Sequence, residues 1–118
     1  MNNKKVGSVG EKIAVIYLRK KGYEVLKRNW YCHWGEIDIV CFHPKRGYVF
    51  TEVKYVRDSR FILPEDLFTH KKIQHLLRTI DFFLEGYKKI DKWCLDLICI
   101  RGVYGDIKIR HYRDVGIT

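Results

Sequence analysis

Two short stretches of this 118-residue chain hold side chains suited to chemistry: Gly35-Glu36-Ile37-Asp38-Ile39-Val40 and Phe50-Thr51-Glu52-Val53-Lys54. Each reads as a strand, and Pro44 to Gly47 reads as the turn between them. A turn symmetric about Lys45 opposes residues whose numbers sum to 90. Asp38 then faces Glu52, and Glu36 faces Lys54. Residues two apart share one side of a strand, so these four share a face with Val40, Phe42, Tyr48 and Phe50. Ile37, Ile39, Val49, Thr51 and Val53 form the other face, expected as core. Opposed carboxylates with Cβ atoms ~4.5–5.5 Å apart destabilise a sheet. Either one carboxyl keeps its proton or a divalent cation lies between them. Hard oxygen ligands suit Mg²⁺, which takes one or two carboxylates, waters and substrate phosphate. Lys54, beside the pair, can neutralise charge or position a water. On a surface hairpin the same residues would be a solvated face with a Glu36–Lys54 ion pair. These strands are apolar on both faces, which predicts a central place in a sheet.

The elements that must carry this hairpin follow from periodicity. A helix is expected over 9–21, with Ser8 and Glu11 as a capping box and Ile13, Ala14, Tyr17 and Leu18 on one face. Gly22 stops it. Strands are expected over 23–31, 36–42 and 48–56. After a loop over 57–66 comes a second helix, marked by Ile73, Leu76, Leu77, Ile80, Phe83, Leu84 and Tyr87. Thr69 is its expected N-cap and Gly86 its stop. Strands over 92–100 and 106–112 follow, joined by a turn holding Gly102 and Gly105. The order α-β-β-β-α-β-β predicts an α/β fold over residues 1–118 as a single domain: a central mixed β-sheet flanked by helices.

The motifs resemble a known family. Asp38, Glu52 and Lys54 on a hairpin behind an acidic helix are similar to the restriction-endonuclease-like, PD-(D/E)xK nuclease fold. More narrowly, the chain resembles the YraN family (uncharacterised protein family 0102). Gly10-Glu11, Ala14, Leu18, Gly22-Tyr23 and Asn29 match its N-terminal pattern in order. Gly35-Glu36-Ile37-Asp38 and Glu52-Val53-Lys54 match its two central signatures, Lys72 and Leu76 its long helix, and Asp96 a late acidic position. After Lys54 the family has a small residue and then a basic one, where this chain has Tyr55 and Val56. Phe61-Ile62-Leu63-Pro64 replaces a Gly-containing stretch. The resemblance implies a Mg²⁺- or Mn²⁺-dependent endonuclease acting on DNA, including structured or branched DNA, as Holliday-junction resolvases do. It implies Asp38 and Glu52 as metal ligands with the Val53 carbonyl, Glu11 reaching in from the first helix, and Lys54 on the attacking water. Glu36, Asn29 and Lys72 are outer partners or substrate contacts. Glu11 has a rival role as the N3 residue of the capping box. Asp96, between Leu95 and Leu97, reads as structural.

Composition agrees with a polyanion partner, be it DNA, RNA or an anionic membrane surface, without choosing among them, and the resemblance puts DNA ahead of RNA. There are 23 Lys plus Arg against 14 Asp plus Glu, a net charge of +9. A hydrophobic share of 47% excludes a disordered polyelectrolyte. Glu11, Glu36, Asp38, Glu52 and Lys54 together carry −3, so the rest of the chain carries +12. Lys4-Lys5, Arg19-Lys20-Lys21, Lys27-Arg28, Lys45-Arg46, Arg57 with Arg60, and Lys71-Lys72 would grip phosphates without reading sequence. Trp30, Tyr31 and Trp34 either stack on bases or pack in the core or a dimer interface. A homodimer would suit cutting two strands. Cys32, His33, Cys41 and His43 lack zinc-ligand spacing. No apolar leader follows Met1, and no run reaches the ~18 residues of a membrane span. The expectation is a cytoplasmic protein with no membrane partner and with Cys32, Cys41, Cys94 and Cys99 reduced. Two other readings fit the same charge: a non-catalytic nucleic-acid-binding module, and an interaction protein with an acidic partner.

Overall fold

The structure is a computed structural model. It describes residues 3–57, 66, 68–103 and 105–116, without the side chains of 3–7, 57 and 103. The elements run α1 (Asn3–Lys20), β1 (Glu24–Cys32), β2 (Gly35–His43), β3 (Gly47–Arg57), α2 (His70–Glu85), β4 (Trp93–Val103) and β5 (Asp106–Tyr112). The loop with Arg60 and Phe61 to Pro64, and the side chains of Lys4, Lys5 and Arg57, lie outside the described residues.

One five-stranded sheet has the order β1-β2-β3-β4-β5. The β3–β4 pair is parallel, and the other pairs are antiparallel. A parallel neighbour needs a crossover, and α2 supplies it. The hairpin is therefore central, as the two apolar faces of β2 and β3 predict. Its register runs from His43↔Gly47 to Ile39↔Thr51, the pairing expected from a turn centred on Lys45.

Two cores sandwich the sheet. Ala14, Val15 and Leu18 of α1 pack with Ile39, Cys41, Val49, Cys94 and Ile98. Leu76, Ile80 and Phe83 of α2 pack with Ile37, Val40, Phe50, Leu95 and Leu97. Thr69 caps α2, its side chain accepting from the Lys72 N–H, and Gly86 ends it. Gly22, at φ +91°, ends α1. Cys41 donates to the Val49 carbonyl from within the first core, as a small buried residue rather than a ligand.

Three local expectations need correction. Helix α1 begins at Asn3, so Ser8 and Glu11 lie inside it and the capping box does not form. Its purpose, satisfying free N–H groups at a helix start, has no meaning one turn or more inside. Gly102 belongs to β4 rather than to the turn. Ile37 and Ile39, expected on one face, enter opposite cores. The irregularity between them falls at Asp38.

A buried polar network clamps the hairpin turn. Arg46 donates from Nη1 and Nη2 to the two oxygens of Asp96 at 2.6 and 2.8 Å. Asp96 is 0% exposed. It also meets His111 Nε2 at 2.6 Å and accepts from the Asp114 N–H at 3.1 Å. Arg46 Nη1 reaches the Tyr23 hydroxyl at 2.8 Å, and Tyr17 of α1 meets His111 Nδ1 at 3.1 Å. Burial alone would raise the Asp96 pKa. The bonds from Arg46, His111 and the backbone outweigh it and lower the pKa to about 2. The turn, α1, β4 and β5 are thus tied through one carboxylate. That clamp fixes the register on which the site depends.

Candidate active site

Asp38 sits where the ladders on both sides of β2 lose regularity. Toward β3, the paired residues stop at Ile39↔Thr51. Beyond them, the Val53 N–H donates to Asp38 Oδ2 at 2.9 Å, so a side chain takes the backbone donor. Toward β1, the pairs Arg28↔Ile39 and Trp30↔Ile37 flank Asn29, which adopts φ +53°. Asparagine tolerates this left-handed conformation better than most residues. The Asn29 side chain lies close enough to the Glu11 carboxylate to favour its ionised form.

Carboxylates from three elements converge here. One oxygen each from Glu11, Glu36 and Asp38 lie within 4.8 Å of one another. Glu52 comes from β3 into hydrogen-bonding contact with Asp38. Glu11 Oε1 and Glu52 Oε1 are buried without a hydrogen-bond partner. Burial, then the neighbouring Asp38, pushes the Glu11 pKa upward; Arg28 and Asn29 oppose the rise. Glu52 is raised more strongly, by burial and by its contact with Asp38, against a partial counter-effect of Lys54. The register expected to oppose Asp38 and Glu52 is paired only as far as Ile39↔Thr51, and the contact between the two carboxyls lies beyond it. It is a side-chain contact rather than a ladder pair.

Glycines allow the close packing. A Cβ on Gly10 would lie 2.7 Å from the Tyr55 Cβ, so only glycine lets α1 approach β3 at the residue before Glu11. A Cβ on Gly35, at φ +154°, would lie 2.8 Å from Thr79 Oγ1 of α2.

The cluster forms one wall of a cleft of about 1340 Å³, with Ser8, Asn29, Tyr31 and Lys54 beside it. That exceeds the ~300–1,000 Å³ of small-molecule pockets and leaves room for a polymer. The facing wall is α2, with Lys71, Lys72, His75 and Arg78. The first turn of α2 holds no acidic residue. Lysines at the positive end of a helix dipole cost stability alone and gain it beside an anion. Lys72 lines the cleft. The reach of Arg78 and His75, and the left-handed Asn29, escape a reading by periodicity. An asparagine opposite Asp38 is the signal that was available for the last. Of the three aromatics, Trp30 packs edge-on against Phe83 at 4.9 Å in the second core. Tyr31 and Trp34 are exposed.

A mixed five-stranded sheet between two helices, with an acidic cluster on its central hairpin, defines an α/β protein with carboxylates gathered in a cleft that Lys and Arg also line. Residues 10–113 match the model of Uncharacterised protein family UPF0102, and the chain belongs to that family. Its UPF0102 relatives include one from Syntrophomonas wolfei, 37% identical over 110 residues, covering 92% of this chain and 95% of the relative. One from Caldanaerobacter subterraneus is 42% identical over 84 residues, covering 71% and 68%. Among solved structures, a repair endonuclease from Pyrococcus abyssi aligns with a TM-score of 0.49 and 12% identity, over 89% of this chain and 41% of that one. Pyrococcus furiosus SfsA in complex with Ca²⁺ aligns with a TM-score of 0.43 and 17% identity, over 98% and 66%. The chain thus spans under half of the first structure and just under two thirds of the second. No helix among the described residues is long and apolar enough to cross a membrane.

Proposed function

We propose that this protein is a divalent-cation-dependent endonuclease that hydrolyses phosphodiester bonds of DNA. The observation that carries the reading is the grouping of Glu11, Glu36 and Asp38 within 4.8 Å of one another, with Glu52 against Asp38 and with buried unpartnered oxygens on Glu11 and Glu52, opposite a wall of cations. Buried carboxylate oxygens without a partner, as on Glu11 and Glu52, are costly, and a hard cation offsets the cost. The donor set, all oxygen, fits Mg²⁺ or Mn²⁺. Asp38, Glu52 and Glu11 would hold the ion, with Glu36 bound directly or through water. A cation held there supplies Lewis acidity toward a phosphodiester oxygen and eases deprotonation of an attacking water at neutral pH.

The chain's own residues supply the rest. Lys71, Lys72 and Arg78 bind backbone phosphates along the far wall. Lys54 orients the attacking water and stabilises charge that develops on the phosphoryl oxygens. Asn29 holds the Glu11 carboxylate toward the pocket. Structured or branched DNA is the proposed substrate, and two copies would be needed to cut both strands of a junction. The proposed place of action is the cytoplasm.

The test is a panel of duplex, flap and four-way-junction DNAs incubated with Mg²⁺ and wild-type, Asp38→Ala or Lys54→Ala protein. Wild type should cut. Each substitution should reduce cutting at least about 100-fold, since even outer partners of a metal site cost ~10–100-fold. Equal cutting by all three would contradict the assignment. Salt-dependent binding without cation-dependent cutting would point to a non-catalytic nucleic-acid-binding module.

A further inference from the structure

Tyr31 is an aromatic side chain left 70% exposed on the wall of the cleft that holds the acidic cluster. It lies on β1, an edge strand, and pairs across the ladder with Glu36. Its neighbours show the contrast. Trp30 is packed on Phe83. The Trp34 ring lies against His33, with centroids 4.7 Å apart, and the Arg78 guanidinium sits 5.3 Å from its centre. Among the described residues, no ring or cation is recorded against Tyr31. Its phenol ring is available beside a site whose opposite wall carries Lys71, Lys72 and Arg78.

We infer that Tyr31 is a stacking platform for an unpaired nucleobase, so that the cleft favours nucleic acid with single-stranded or splayed positions over continuous duplex. This rests on the nuclease reading for the role of the cleft, and adds to it the residue that would select unpaired positions. The physical basis is general. A ring face next to a cationic groove binds a base by stacking while the cations hold the strand's phosphates, and every base offers a face whatever its identity. In a continuous duplex both faces of each base are already covered, so the platform has nothing to receive. Arg78, held over Trp34, is placed to meet a phosphate.

The test needs no catalysis. Full-length protein in EDTA is titrated into DNA carrying 2-aminopurine at one unpaired position, and into the matched full duplex. Stacking on Tyr31 should quench the fluorophore in the first probe, and the first probe should bind more tightly. Tyr31→Ala should remove the quenching and weaken binding to the unpaired probe roughly 5- to 100-fold, with little change for duplex. Tyr31→Phe, which keeps the ring, should behave as wild type. Because the side chain is exposed, neither change should disturb the fold, and urea midpoints verify this. Equal wild-type affinity for the two probes, or undiminished quenching in Tyr31→Ala, would overturn the stacking role and leave the nuclease reading standing. Absence of binding to both probes, in EDTA and again with Ca²⁺ added, would overturn both. A dimer that becomes a monomer in Tyr31→Ala, with quenching unchanged, would assign the ring to self-association instead.

Discussion

Glu52→Gln should stabilise the cation-free protein by about 1–3 kcal/mol while lowering cleavage at least about 100-fold. The two effects share a cause. Glu52 brings a carboxyl into contact with Asp38 and leaves Oε1 buried without a partner. A buried acceptor without a donor costs on the order of 1–3 kcal/mol, and more when charged. Glutamine has nearly the same shape and adds two N–H donors that Asp38 can accept. It therefore carries no charge to desolvate, and it donates to Asp38 without the proton that the buried Glu52 carboxyl must take up to do so. The same change makes the group a poor ligand for a hard cation. Active sites commonly trade stability for function in this way. Urea midpoints at constant m, measured in EDTA, read the first effect; the DNA panel reads the second. A cation-free protein that is destabilised by Glu52→Gln and still cuts normally would show that Glu52 is a structural residue.

The largest stability effect should come from the other end of the hairpin. Arg46→Ala should cost about 3–5 kcal/mol, because it leaves the fully buried Asp96 carboxylate without its main partner. His111 and the Asp114 N–H remain, but neither offers a two-pronged contact. Asp96 is the group whose folded pKa, about 2, lies below its ordinary 3.8. Its contribution is therefore fully present above pH ~4 and is lost as pH falls toward 2. The difference between wild type and Arg46→Ala should be greatest near neutrality and should shrink across that acidic window. Denaturation series at pH 7, 4 and 2.5 test both the size and the sign. A difference below about 1 kcal/mol at pH 7, or one that grows on acidification, would contradict the clamp. Replacing both partners by apolar residues of similar volume should cost less than either single change.

Much of this site is legible in the chain. Pro44 to Gly47 between two alternating strands sets the register, and register brings Asp38 toward Glu52. The apolar faces of both strands place the hairpin centrally. Thr69 and Gly86 mark the ends of α2 because capping is local chemistry. Other features depend on contacts distant in sequence. Ser8 and Glu11 have capping-box spacing, but α1 starts five residues before Ser8. Packing of Ala14 and Leu18 on the sheet stabilises the longer helix, and the box loses its role. Ile37 leaves its expected face because Asp38 gives its side chain to the Val53 N–H and Asn29 turns left-handed opposite it. Both are departures from regular pairing at the proposed cation site, where regular periodicity has no power to describe them. Asp96 reads as structural from its neighbours, whereas its partner Arg46 is 50 residues away in a turn and carries no local signal.

The most direct measurement of the central claim is Mn²⁺ binding, followed by loss of the free-ion EPR signal on titration with protein. Wild type should deplete the signal, and Mg²⁺ should restore it by competition. Asp38→Ala should deplete it far less, while Arg78→Ala, on the facing wall, should behave as wild type. Equal depletion by wild type and Asp38→Ala, or none by wild type, would contradict a divalent-cation site at the acidic cluster.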